Sequence, residues 1–132
     1  MSRIDFARRR AGVLMPLSSL RSESDFGVGD FSALPLFFAW MKQAKLTVWN
    51  LLPLNDLAPR DSCPYSSLSA FAVDPVYADL RSIPELRDSR ALAAELAKEA
   101  AGAEVGRLRS GKRVDFARVR ALKLRWLECA YR

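Results

Sequence analysis

An α/β arrangement, one βαβ unit followed by a helical section, is the fold class this sequence predicts. Two short apolar runs, AGVLMPL at 11–17 and LTVWNLLPL at 46–54, have strand length and are bounded by turn formers. Between them, apolar residues recur at helical spacing after Asp30, and helical patterns return beyond Pro84. Strand, helix and strand within about 45 residues make two parallel strands joined by a helix, and ligands of such units bind beyond the C-terminal ends of the strands. The chain divides accordingly into a basic leader at 1–10, the βαβ unit with its strand-end loop at 11–83, and a helical section at 84–132.

The leader carries Arg8, Arg9 and Arg10 ahead of the first apolar run. That run is short, holds Pro16 and is followed by no small-residue cleavage pattern, so it is not read as a signal peptide and the expected location is the cytoplasm. Residues 18–29 read as loop. Within them Gly27-Val28-Gly29 lacks the third glycine or the lysine of a phosphate cradle and is followed by Asp30, so its role is to turn the backbone. Asp30 or Ser32 caps a helix running to about Lys45, with Pro35 in its first turn. Leu36, Phe37, Trp40, Met41 and Ala44 form its core-facing stripe.

The second apolar run reads as a strand buried on both faces, with Trp49 in the core. Residues 60–75, RDSCPYSSLSAFAVDP, combine turn formers, hydroxyls and rings without a helical or strand period. They form a loop, and loops this long and this rich in side-chain chemistry carry function. An extended piece is expected at 77–83, after which Pro84 opens the helical section. Ser89 caps RALAAELAKEAA, Gly102 stops it, and Gly106 and Gly111 mark the loop beyond. Asp115 then caps a helix with apolar residues at Phe116, Val119, Leu122, Leu124, Trp126, Leu127 and Ala130, which expects cover on more than one side.

Composition excludes several classes. With 132 residues, half of them hydrophobic, the chain suits one compact domain. No apolar run approaches the roughly 20 residues that span a bilayer, so no membrane partner is expected. The net charge is +6, yet residues 1–80 hold eight basic and eight acidic side chains, and the whole excess lies in the helical half, with thirteen against seven. Basic residues spaced along amphipathic helices read as solvated surface, so nucleic acid is not an expected partner. Histidine is absent, which removes the commonest general base and metal ligand. Cys63 and Cys129 lack metal-ligand spacing and read as free thiols. Neither metal nor cofactor is expected, and acid–base chemistry would fall to carboxylates. Asp25, Asp30, Asp56 and Asp61 all lie in loops, where a two-carboxylate hydrolase is conceivable, but aspartate favours turns for backbone reasons.

AGVLMPLSSL, DFGVGDF, VWNLLPL and DSCPYSSLSAFAVDPVYADL, in this order and at these spacings, resemble the opening of the 4-alpha-glucanotransferases of glycoside hydrolase family 77, the amylomaltases or disproportionating enzymes. RVDFARVRALKLRWLECAY is similar to that family's Val-Asp-Tyr stretch and the helix after it, so the resemblance covers residues 11–131. The loop SESD at 22–25 is longer and more acidic than the family pattern, and Cys63 stands where a serine is frequent.

The resemblance implies the N-terminal part of a (β/α)8 TIM barrel, incomplete here with about two of its parallel strands, because such a barrel takes roughly 250 residues. It implies transfer of α-1,4-glucan segments between acceptors, with retention, through a covalent glycosyl-enzyme. That chemistry needs a carboxylate nucleophile and an acid/base about 5 Å apart. The family draws both from later strands, so no catalytic residue is expected in this chain, which alone should be inactive. Tyr65 is by resemblance the aromatic that stacks on the sugar beside the scissile bond, with Ser62 and Asp61 as neighbouring polar contacts. The implied partners are an α-1,4-glucan or maltooligosaccharide and the remainder of the barrel. The alternative is a stand-alone carbohydrate-binding or interaction module that keeps the sugar-contacting loop without chemistry; the lack of a closing segment after Tyr131 favours the first reading.

Overall fold

Backbone hydrogen bonds pair two short parallel strands, β1 (Gly12–Leu14) and β2 (Val48–Asn50), with Gly12 beside Val48, Val13 beside Trp49 and Leu14 beside Asn50. The computed structural model describes residues 9–58 and 61–132. The expected leader thus lies outside the described residues except for Arg9 and Arg10, as does Arg60 of the long loop.

Between the strands, Asp30 Oδ1 accepts the Ser32 N–H at 3.1 Å and the Ser32 hydroxyl at 2.6 Å. This caps a 3-10 turn, Phe31–Ala33, that runs directly into helix α1 (Leu34–Gln43), with Pro35 in the first turn where its missing N–H costs nothing. The buried stripe is Ala33, Phe37 and Met41. Leu36, Trp40 and Ala44, expected in the core, face outward, with Leu36 73% exposed. A sheet two strands wide covers only a narrow stripe of the helix. The Phe37 ring meets Trp49 edge-on at 4.8 Å, and Trp49 Nε1 donates to the Met15 carbonyl at 2.9 Å, so one indole joins α1, β2 and the end of β1. β2 is not buried on both faces as expected. Val48 and Asn50 are exposed and Trp49 half-buried, because among the described residues α1 lies on one face of the sheet and no third strand pairs with it.

The loop after β1 does turn on its glycines. Gly27 has φ +96°, and a Cβ on Gly29 would lie 2.3 Å from the Leu17 carbonyl oxygen. Two 3-10 turns, Pro75–Tyr77 and Leu80–Ser82, replace the extended piece expected at 77–83. Asp74 Oδ1 accepts the Val76 N–H at 2.9 Å and Asp79 Oδ1 the Arg81 N–H at 3.1 Å, and such aspartate turns outcompete extension.

Helices α2 (Pro84–Asp88), α3 (Arg90–Ala100) and α4 (Ala103–Ser110) follow. The Ser89 hydroxyl caps α3 by accepting the Leu92 N–H at 3.4 Å. Gly106, expected in a loop, sits inside α4. A helical glycine costs about 0.5–1 kcal/mol, and burial of Val105 and Leu108 outweighs it, each large aliphatic side chain being worth about 1.5–3 kcal/mol when covered. Helix α5 (Phe116–Tyr131) is capped by Asp115, which accepts the Arg118 N–H at 3.1 Å. It packs on both 3-10 turns and on α2, and one hydrophobic cluster includes Leu17, Phe26, Leu86 and Trp126. Leu124, expected among its covered positions, is exposed.

Two basic residues of α5 contradict the expectation of a solvated charged surface. Lys123 is 0% exposed, and its Nζ donates to Asp30 Oδ2 at 2.7 Å and to the Ala78 carbonyl at 2.6 Å. Buried Arg120 pairs through Nη2 with buried Asp74 Oδ2. Burial pushes the Lys123 ammonium's pKa down, and Asp30, Asp79 and Asp25 pull it part of the way back. Asp25 and Asp30, weighed as catalytic carboxylates, are therefore committed elsewhere. Asp25 is buried and accepts from Arg21 Nε at 2.7 Å, Ser22 N at 2.9 Å and Gly27 N at 2.7 Å, while Arg109 of α4 donates to its carbonyl at 2.6 Å.

Burial raises the Asp25 carboxyl's pKa, but the bonds from Arg21, Ser22 and Gly27 outweigh that and hold it below its ordinary value. With the folded pKa below the unfolded one, the stability Asp25 adds is complete above the unfolded value and drains as pH falls through the folded value. Asp25→Asn should therefore flatten the loss of stability below about pH 4, measured by chemical denaturation across pH; an unchanged acid limb would contradict the assignment. Leu14, Leu36, Trp40 and Val48 leave apolar surface on the sheet and α1, and the sheet's outer edges have no partner among the described residues. The purified chain is expected to self-associate and to bind a hydrophobic dye. Sedimentation and dye fluorescence check this, and a sharply melting, dye-silent monomer would count against it.

Candidate functional site

β1 and β2 run parallel and in register, so the loops that leave their C-terminal ends open on one side of the sheet. Pro16 and Ser18 from the first loop and Leu54 and Asn55 from the second line one cleft of about 180 Å³, as expected for loops sharing a face. Ser62 and Pro64 of the long loop add to its lining, and Tyr77 and Phe116 join them from the helical side.

The long loop is a folded-back ribbon. Asn55 bridges Val73 and Leu57 bridges Ser67, both antiparallel. The Asp56 N–H donates to the Ala72 carbonyl at 2.9 Å, the Leu68 N–H to the Asp56 carbonyl at 2.9 Å, and the Asp74 N–H to the Leu54 carbonyl at 2.8 Å. Asn55 Nδ2 reaches the Ala70 carbonyl at 3.0 Å, and Ser69 Oγ accepts the N–H groups of Phe71 and Ala72 at 3.2 Å. These bonds fold the loop's backbone on itself while rings face outward, with Phe71 98% exposed.

The three residues singled out from the sequence take different positions. Ser62 lies on the cleft wall. Tyr65 follows Pro64 outside the lining and is 71% exposed, its phenol free of partners among the described residues. Asp61 Oδ1 accepts the Cys63 N–H at 2.8 Å, which gives the carboxylate a turn-holding role. Cys63 and Cys129 are free and exposed.

Tyr77 was not foreseen as a site residue. It is buried at the cleft, where burial and the Asp74 carboxylate push its pKa up, against smaller opposing effects of a Ser18 hydrogen bond and Arg120. Tyr77 lines the cleft wall with its phenol ring. Its only sequence signal was an aromatic residue just after an Asp-Pro turn. Among the described residues the cleft lining holds apolar surface, two serine hydroxyls, one amide and one phenol, with no carboxylate and no cation. It can bind and orient a hydroxylated ligand. It holds no acid/base pair. Among the described residues no helix is long and apolar enough to cross a membrane.

Parallel strands whose C-terminal loops build such a cleft define an α/β protein that presents a ligand face at its strand ends. The chain belongs to glycoside hydrolase family 77, described as 4-alpha-glucanotransferase, whose pattern matches residues 15–132. A 4-alpha-glucanotransferase of rice, Oryza sativa subsp. japonica, is 41% identical over 81 residues, 58% of this chain and 9% of its own length. One from Haemophilus influenzae is 32% identical over 120 residues, 89% of this chain and 17% of its own length. The crystal structure of amylomaltase from Corynebacterium glutamicum has a similar fold, with a TM-score of 0.79 at 24% identity over 92% of this chain and 18% of that one. The chain thus spans from 9% to 18% of the length of these relatives. A separate binding module is not favoured by a family match of this extent.

Proposed function

We propose that this chain supplies the first two strands and the surrounding helices of a (β/α)8 barrel that transfers α-1,4-glucan segments between maltooligosaccharide acceptors. The location consistent with its two free cysteines is the cytoplasm, where thiols stay reduced. The observation that carries the reading is an exposed aromatic ring, Tyr65, on the strand-end loop of a chain whose residues 15–132 match the glucanotransferase family.

In this reading Tyr65 lays its ring over the C–H face of a pyranose and excludes water from the reacting carbon. Ser62 offers a hydroxyl to the same sugar, and Asp61 holds the turn that carries them both. The nucleophile and the acid/base, about 5 Å apart in a retaining enzyme, come from outside this chain. Asp25, Asp30 and Asp74 are buried in ion pairs and caps and do not substitute for them.

Two measurements follow. The isolated chain should form no longer glucans from maltotriose, and detectable transfer by the pure chain would refute the division of labour. In the complete enzyme, Tyr65→Ala should lower kcat as well as raise KM, because stacking on the flattening ring favours the transition state, whereas Tyr65→Phe keeps the ring and costs much less. Melting and transfer kinetics on the same Tyr65→Ala preparation decide the matter: an unaltered kcat with reduced stability would make Tyr65 a packing residue.

A further inference from the structure

We propose that Arg120 and Lys123 of α5 are positioning residues for the strand-end loops, and that Arg120 sets where the Tyr65 ribbon stands; the proposal rests on the reading of Tyr65 as a sugar contact. The two cations lie three residues apart, one helical turn, and so share one face of α5. Each reaches a different loop. Lys123 binds Asp30, at the end of the loop after β1, and the Ala78 carbonyl, beyond the loop after β2. Arg120 binds Asp74, the residue at which the ribbon re-enters the fold.

Asp74 makes three connections from one position. Its N–H donates to the Leu54 carbonyl at 2.8 Å and closes the base of the ribbon. Its Oδ1 accepts the Val76 N–H at 2.9 Å and starts the turn that carries Tyr77 into the cleft. Its Oδ2 pairs with Arg120. Beyond this base, Leu57 is buried and Ser62 and Pro64 line the cleft, while Tyr65, Leu68 and Phe71 are exposed. The ribbon's position depends on its base as well as on these contacts. A buried ion pair seldom stabilises more than well-packed apolar side chains would, because desolvation offsets the attraction. What it adds is direction, since a guanidinium and a carboxylate meet in few geometries, whereas apolar groups slide. Two such pairs on one helix face fix the two loops relative to α5, and through it relative to each other.

Amide hydrogen exchange on the full chain tests this. In Arg120→Met, the amides of Asp56, Leu68 and Asp74 should exchange about tenfold or more faster than in wild type while amides inside α3 change little. Arg120→Lys, which keeps the charge but loses the guanidinium's fixed geometry, should recover only part of the protection. An equal rise in the ribbon and α3 would reduce Arg120 to a general stabiliser, and an unchanged ribbon would remove the clamp; either result overturns the proposal. Should Arg120→Met fail to fold, Asp74→Asn keeps the acceptor for Val76 and removes the charge, and the same ribbon-specific rise is required of it. The exchange measurement contains no sugar, so failure of the clamp is separate from failure of Tyr65→Ala to alter sugar handling.

Discussion

Everything above the sheet depends on two buried cations meeting two buried carboxylates. Lys123 with Asp30 and Arg120 with Asp74 each place opposite charges in the buried interior. Leaving one member of such a pair alone costs about 3–5 kcal/mol, a large share of the roughly 5–15 kcal/mol that holds a domain folded. Neither carboxylate serves the ion pair alone. Asp30 also caps the turn into α1, and Asp74 also closes the ribbon and starts the turn to Tyr77. Electrostatics and local backbone geometry are thereby coupled through the two oxygens of each carboxylate, and a change at either residue propagates into the start of α1 or the wall of the cleft.

That coupling compensates for a slight sheet. Two strands of three residues each do not hold a domain together. Trp49 adds one joint between β1, β2 and α1, but the deepest residues, among them Leu17, Val28, Val76 and Val119, lie where the strand-end loops meet the helical section. The loops that form the cleft are thus held from the helical side. The sheet contributes their starting points and common direction.

In the proposed reading the chain contacts sugar and leaves bond breaking to groups outside it. Among the described residues the cleft combines apolar surface with uncharged hydroxyl and amide groups, and burial pushes the Tyr77 phenol's pKa up. Asp25, Asp30 and Asp74 are spent on structure, in buried ion pairs and caps.

Local features were legible from the residues. Asp30, Ser89 and Asp115 cap the helices as their positions indicate, Gly27 and Gly29 turn the backbone, and the motifs around residues 11–80 and 113–131 carried the family resemblance. Ser62 and the ribbon bearing Tyr65 were legible as a loop at a strand end for the same reason, since turn chemistry acts over a few residues. The chain by itself therefore determined its caps, its turns, its βαβ order and its family. Tertiary structure alone decided the burial of Lys123 and Arg120, the exposure of Leu36 and Trp40, the helix through Gly106 and the place of Tyr77 in the cleft. The physical reason is range. Lys123 meets a carboxylate 93 positions away and Arg120 one 46 positions away, so whether a cation is solvent-facing or structural depends on which distant element covers it.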